Sequence, residues 1–434
     1  MKRKKCLIMV IVFTIFLFAF VSIGFARGNG TSEEQGEEQI VLRVPHWFWG
    51  HGGTFEEWIT VGSAEFEQQN PNVKIDGYHI PYDQYWDKID TSIAAGDPAD
   101  IFALTNVNLG KYILNDALLA LDDLIDMGDV RENWAKIQTE GVISCGDDGN
   151  TYLLIHEFSF YVPMYRPSVF ENAGITNYAT TPDEFLQMCS KLKGSGIYPY
   201  ASMNLPGNWT EGQYDLYIWV FGMGGHYAKN GKPTLNSSEV VQAVTYLKKI
   251  FDAGYMVKET DKGTYRKMFA VGEVGTLIDG PWMQGLSVSW DPTVEGDFAT
   301  TDLPFPTQRV ATFFEGFSIS SATKYPEIAA KYIEHMCGPD SQRRMVELVG
   351  IQSARTDIYK DKAYLDKVLA AKPWFKTYID HTDQVMMNAP GIDPEKLPEL
   401  TKIWYSYYEK ILYEDMDPKA AMDAAQKEAM KLFS

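Results

Sequence analysis

The chain has 434 residues, 39 of them Lys or Arg and 58 Asp or Glu, for a formal net charge of −19. That acid excess excludes a nucleic-acid binder, whose phosphate contacts demand a basic face, and disfavours adhesion to anionic lipid. The length exceeds what one hydrophobic core organises, so two lobes are expected.

The N-terminus sets Lys2, Arg3, Lys4 and Lys5 before an apolar run over residues 7–21. Gly24-Phe25-Ala26 follows, with small residues at the −3 and −1 positions of a cleavage site. This is the pattern of a secretory signal peptide, residues 1–26, cut after Ala26. Cys6 precedes the apolar run, where no lipid-attachment cysteine sits. Loss of the four cations leaves 35 against 58 acids, a net −23 that favours solubility in an exported compartment. Residues 27–39 are acidic and Gly-rich without apolar periodicity and read as a disordered leader. Three cysteines remain, Cys145, Cys189 and Cys337, enough for at most one disulfide and without metal-site spacing. The seven histidines form no HExxH pattern, and no phosphate loop or GxGxxG opens a helix, so neither metal nor cofactor is expected.

Residues 40–44 read as a first strand. It runs into Pro45-His46-Trp47-Phe48-Trp49-Gly50-His51-Gly52-Gly53, an aromatic and glycine-rich loop at a strand's carboxyl end, where ligands of open α/β sheets bind. Residues 54–69 follow as a helix, stopped by Asn70-Pro71-Asn72 because proline cannot continue the ladder. Residues 73–75 alternate like a strand, and residues 82–95 set Tyr85, Ile89, Ile93 and Ala94 at helical spacing. Gly96-Asp97-Pro98 ends that helix, and residues 101–104 are a short apolar strand. The order is that of a βαβ unit feeding a parallel sheet.

The wording of this stretch, Asn70-Pro71-Asn72-Val73-Lys74, then Tyr85-Trp86-Asp87-Lys88, then Gly96-Asp97-Pro98-Ala99-Asp100-Ile101, resembles the N-terminal lobe of the bacterial solute-binding proteins that serve sugar ABC importers, the maltose-binding-protein-like family. The resemblance continues in the Leu118–Ile125 segment (LLALDDLI) and in Tyr165, Phe170 and Ala173-Gly174-Ile175, although Arg166-Pro167 replaces the usual Asn-Lys pair. It continues again in the element from Met268 to Trp282, in Asp302-Leu303-Pro304-Phe305-Pro306, and in Gly316-Phe317-Ser318-Ile319-Ser320 with the helix over 325–336. Residues 151–162 read as one extended strand interrupted by His156-Glu157. Thr181-Pro182-Asp183-Glu184 is a well-formed helix start, 237–253 an amphipathic helix, and 404–434 a helical tail.

The resemblance implies an α/β, two-lobed periplasmic-binding-protein fold, each lobe a mostly parallel sheet flanked by helices, with a ligand cleft at a multi-segment hinge. It implies an N-terminal lobe of residues 40–155 and 303–340 and a C-terminal lobe of 156–302 and 341–434. The implied function is capture of a sugar or oligosaccharide by hinge closure and delivery to the permease subunits of an ABC importer, with the ATPase met indirectly. A monomeric, periplasmic or extracellular, non-enzymatic protein is expected.

Sugars present apolar CH faces and a rim of hydroxyls, so their sites need flat aromatic platforms and fixed hydrogen-bonding groups. Trp47, Trp49, Trp209, Trp282 and Trp374 each lie beside Gly or Pro in a loop context, and at least two are expected to stack on ligand. The family's tryptophan at Trp282 commonly faces the sugar, whereas Trp219 and Trp404 sit in helical, apolar surroundings and read as core. Thr105, Asn106 and Asn108, after the 101–104 strand, with Glu157 and Glu315, are the candidate partners for hydroxyls. Two other readings remain open. A non-sugar solute such as a peptide or polyamine would use the same fold, and a glycoside hydrolase would need a carboxylate pair, for which Glu157, Glu315 and Asp279 are the acids near the cleft. No nucleophile elbow or Ser-x-x-Lys supports hydrolysis by another route.

Overall fold

The computed structural model describes residues 39–50, 52–142, 148–386 and 396–433; the signal segment, the leader up to residue 38, Cys6, His51 and Cys145 lie outside them. No helix among the described residues is long and apolar enough to cross a membrane.

The first unit is β1 (Ile40–His46), α1 (Gly53–Gln69) and β2 (Val73–His79), with β1 and β2 parallel in register from Ile40↔Val73 to His46↔His79. Helix α1 buries Trp58, Ile59, Gly62, Ser63 and Phe66, one face at 3.6-residue spacing. Before Pro71 its end is closed by Asn70, whose Nδ2 donates to the Phe66 carbonyl at 2.9 Å. Then come α2 (Tyr82–Ala94), the fully buried β3 (Ile101–Thr105), α3 (Leu109–Leu114), α4 (Met127–Asn133), β4 (Leu154–Phe160) and β5 (Val162–Tyr165). The single strand expected over 151–162 is two strands in two different sheets, parted at Tyr161. Tyr161 is therefore where the chain first crosses between lobes.

The second lobe is built from α5 (Pro167–Asn172), α6 (Pro182–Gly194), β6 (Tyr198–Ala201), α7 (Trp209–Gly222), a hairpin of β7 (Ala228–Lys229) and β8 (Lys232–Pro233), α8 (Ser238–Asp252), α9 (Lys262–Ala270), β9 (Val274–Asp279), α10 (Trp282–Trp290) and β10 (Ala299–Thr300). Thr181 caps α6 by accepting from Glu184 N–H at 3.2 Å, and Ser237 caps α8 by accepting from Val240 N–H at 3.3 Å. Caps of this kind each contribute about 1 kcal/mol. Arg166, where the family pattern has another residue, ties this lobe's loops together. Its guanidinium donates to Asp297 at 2.9 Å, Asp291 at 3.2 Å and Thr293 at 3.1 Å.

The chain returns through β11 (Val310–Ile319), α11 (Pro326–Met336), α12 (Pro339–Leu348), α13 (Lys362–Ala371), α14 (Phe375–Asp380) and β12 (Val385–Met386), then ends in α15 (Leu397–Tyr413) and α16 (Pro418–Ala429). In the first lobe β11 pairs antiparallel with both β3 and β4 and parallel with β12; in the second the order is β10-β5-β9-β6, with only β6–β9 parallel. The sheets are thus mixed, not mostly parallel as expected. The reason is the double crossing: strands that arrive from the other lobe through the hinge run against the strands of the βα units they join.

Residues beyond 340 pack against elements from the first part of the chain. Trp58 Nε1 donates to Ser341 Oγ at 3.0 Å, Arg344 pairs with Glu65, and Arg355 makes a bidentate contact with Asp129 at 2.8 Å. The change of packing partner comes near α14, where Thr300 Oγ1 donates to the Trp374 carbonyl at 2.6 Å. Cys189 and Cys337 are free and buried.

Candidate functional site

Three strands bring side chains together here: His46 closes β1, Glu157 lies at the middle of β4, and Glu315 at the middle of β11. Strands β4 and β11 slip register between Glu315 and Gly316, so that Glu157 opposes Glu315, Ile155 opposes Gly316, and His156 is the extra residue of a bulge. A bulge re-aims side chains that strict alternation would send to opposite faces. Only glycine fits at 316, because a Cβ there would lie 2.4 Å from Leu153 Cδ2 and 2.5 Å from the Leu154 carbonyl oxygen.

The bulge brings two carboxyl groups into hydrogen-bonding reach of each other, with Glu157 6% and Glu315 4% exposed. Burial raises the pKa of both, and the charge of Glu157 raises that of Glu315 further. Two carboxylates so placed disfavour each other's ionised form, so burial and mutual repulsion together favour a proton on the pair. The nearby Trp47 indole N–H acts in the opposite sense, lowering the pKa of Glu315. One oxygen of each acid, Oε2, remains buried without a partner. Among the described residues neither acid is ion-paired with a lysine or arginine.

His46 and His156 lie beside this pair, and one ligand atom from each, with one from Glu315, fall within 4.8 Å of one another. The donor pattern does not suit a cation. Phe48 N–H donates to His46 Nδ1 at 3.1 Å, which assigns the His46 proton to Nε2, facing His156 Nε2 at 3.5 Å. A metal at that Nε2 would need an imidazolate. Burial holds both imidazoles neutral, their pKa values lowered, with His156 lowering His46 further.

Aromatic rings lie on both sides of the chain crossing, with Trp47 and Tyr82 near Glu315. Trp47 meets Tyr82 edge-on at 5.1 Å and Tyr85 at 4.9 Å. From the other lobe, Trp282 meets Tyr161 edge-on at 5.8 Å. The Trp282 ring lies over Gly280, where a Cβ would come within 2.3 Å, and the Arg266 guanidinium sits 5.9 Å from its centroid. The cations on this side are each closed on an acid of their own: Arg266 on Asp279 through two bonds of 2.8 Å, and Lys262 on Asp215 at 2.8 Å.

Of the residues singled out from sequence, Glu157 and Glu315 oppose each other with Trp47 beside them, while Trp282 packs on Tyr161. The others are occupied elsewhere. Trp49 turns back over β2, donating to the Val44 carbonyl at 2.8 Å and lying where a Gly77 Cβ would be, at 2.2 Å. Asn108 Oδ1 accepts from Thr105 N–H at 3.0 Å and is 3.3 Å from Thr105 Oγ1, so both residues close their own turn. Asn106 extends the β3 ladder, its side chain bonding the backbone of Thr312 and Phe314. Trp374 is buried among Phe298, Phe375 and Tyr378. Trp209 begins α7 and packs half-buried against the core. Sequence reasoning missed Tyr82, Tyr161, Arg266 and Lys262. The one signal for Tyr161 was its position just beyond the polar interruption of an apolar strand.

The sequence profile described as "Bacterial extracellular solute-binding protein" matches residues 63–376, well over half of the chain. The chain belongs to that family. This solute-binding protein is 23% identical over 295 residues to the diacetylchitobiose binding protein DasA of Streptomyces coelicolor, a match covering 65% of this chain and 66% of that one. Its fold is similar to that of the cyclic alpha-maltosyl-1,6-maltose binding protein from Arthrobacter globiformis, with a TM-score of 0.78 and 20% identity over 90% of this chain and 98% of that one. It is also similar to maltose-bound MalE3 of T. maritima, with a TM-score of 0.75 and 18% identity over 91% and 100% of the two chains. The solute-binding protein is therefore two-lobed, its family is extracellular, and its fold is one of capture.

Proposed function

We propose that the protein captures a sugar or oligosaccharide between its lobes and delivers it, as a monomer, to the permease subunits of an ABC importer. The observation that carries this reading is the pair of aromatic clusters about the chain crossing, Trp47 with Tyr82 beside the buried Glu315, and Trp282 with Tyr161. Flat rings match the CH faces of a sugar, and a carboxyl group that holds a proton can both donate to and accept from hydroxyls. A ligand touching both sets of rings is bound fully only when the lobes close, so it shifts an open–closed equilibrium by its differential affinity. The similar proteins named for diacetylchitobiose and maltose support the same class of solute.

In this reading the chain is exported after cleavage behind Ala26, to the periplasm or the cell exterior. The first lobe comprises residues up to Phe160 and those from Val310 to about 360, and the second comprises 161–302 and most of the chain beyond α13. Hydrolysis fits poorly. Glycoside cleavage uses carboxyl groups roughly 5 Å or more apart on either side of the scissile bond, whereas Glu157 and Glu315 reach each other directly.

The test is thermal unfolding of the exported protein against mono-, di- and oligosaccharides, with spermidine and short peptides as controls. Ligand at a hundred times its Kd stabilises by about 2.7 kcal/mol. With an unfolding entropy of about 2.1 cal/mol/K per residue this is a shift of roughly 3 °C for a chain of this length. A shift with saccharides and no cleavage product supports capture, and a shift with spermidine or peptides alone overturns the carbohydrate reading.

A further inference from the structure

We propose that the solute carries a protonated amine, an amino sugar or an oligosaccharide containing one, and that its ammonium group sits on the Glu157–Glu315 pair. This rests on the carbohydrate reading and narrows it. The argument is one of charge accounting around the hinge. Arg266 is neutralised by Asp279 at 2.8 Å and Lys262 by Asp215 at 2.8 Å, so neither cation is left over for a neighbour. His46 and His156 are bonded to each other and buried neutral, and contribute no charge. The phenol of Tyr82, raised in pKa by burial and then by the nearby charge of Glu315, is neutral. The two glutamates are thus the acids of the site that no protein cation answers, each with a buried Oε2 that has no partner.

A buried polar atom without a partner is costly in the free protein, and its partner is then supplied by a ligand. A neutral sugar hydroxyl would satisfy one such oxygen. An ammonium offers three donors and a full charge, and it replaces the proton that the pair holds in the free state. The rings of Trp47 and Tyr82 add faces that attract a cation as well as a CH surface. The proton balance is explicit: when the amine arrives as R–NH3+, the proton shared by the carboxyl groups leaves to solvent and the pair becomes the counter-ion. A neutral sugar leaves that proton where it is.

The experiment is titration calorimetry of the exported protein at neutral pH with matched sugars that differ at one substituent. Glucosamine, N-acetylglucosamine and glucose form one triplet; the β-1,4-linked disaccharides of the same three units form another, and α-linked glucose oligomers complete the set. Each titration is run in two buffers of different ionisation enthalpy, so that proton release is read alongside affinity. The amine member is expected to bind at least about tenfold tighter than its neutral twins and to release about one proton to buffer. Glu157→Gln and Glu315→Gln, each checked for cooperative unfolding, are expected to abolish both the preference for the amine and the proton release. Equal or tighter binding of a neutral twin, or amine binding without proton release, overturns the proposal and leaves carbohydrate capture standing. Failure of every saccharide to bind overturns the carbohydrate reading itself.

Discussion

Replacing both members of the buried carboxyl pair, Glu157→Gln with Glu315→Gln, removes a proton that folding takes up. Both acids have folded-state pKa values above their ordinary 4.5, first because burial disfavours the charged form. A raised pKa contributes stability that is fully present below the unfolded value and is lost as pH rises through the folded one. The slope is about 1.4 kcal/mol per pH unit for each proton held only by the folded state. The lowered pKa values of His46 and His156 act with the opposite sign, their contribution being present above about pH 6.5 and lost as pH falls, so they are silent at higher pH. Between pH 6.5 and 8.0 the wild-type protein should therefore lose about 2 kcal/mol relative to the double variant, whose two amides pair with each other without titrating. With about 2.1 cal/mol/K of unfolding entropy per residue this is a relative shift of roughly 2–3 °C. Thermal unfolding of the two proteins at half-unit pH steps measures it. A difference in midpoint that stays flat from pH 6.5 to 8.0 would show that the pair exchanges no proton on folding, and the reasoning about the site would fail with it.

Other consequences follow from single contacts. Trp282→Ala should weaken sugar binding by at least about tenfold with cooperative unfolding retained; unchanged affinity by calorimetry removes Trp282 from the site. Gly77→Ala puts a Cβ 2.2 Å from the Trp49 ring and should cost about 1–3 kcal/mol of stability by overpacking without changing sugar affinity. A loss of affinity at constant stability would return Trp49 to the site. Asp215→Asn leaves the buried Lys262 ammonium without its counter-ion at 2.8 Å. That should destabilise by about 3–5 kcal/mol, read by urea unfolding, and a cost below about 1 kcal/mol would mean that the pair is solvated.

The first βαβ unit was legible because its signals are local. Asn70-Pro71 ends α1, the spacing of Tyr85, Ile89 and Ile93 marks α2, and Thr181 and Ser237 sit where a helix needs a cap. Strand sense was not legible in the same way. The apolar run over 151–162 has one composition throughout, yet Tyr161 divides it between two sheets, and only pairing with β11 on one side and β9 on the other shows this. The hydroxyl-rich loop after β3 misled for a related reason: Thr105, Asn106 and Asn108 are the residue types that bind sugar hydroxyls, and equally those that satisfy a turn's own backbone.

What the sequence determined by itself is the α/β class, the family likeness and the first elements in order, since residue type and spacing along the chain carry that information. What only the tertiary structure decided is which polar groups are left over. Glu157 and Glu315 are 158 positions apart in sequence, and nothing local distinguishes them from Asp279, which Arg266 neutralises. A register slip beside Gly316 sets the two glutamates opposite each other, and among the described residues no lysine or arginine is ion-paired with either. Partnership is a property of distances in space, and it makes one carboxylate structural and another available to a ligand.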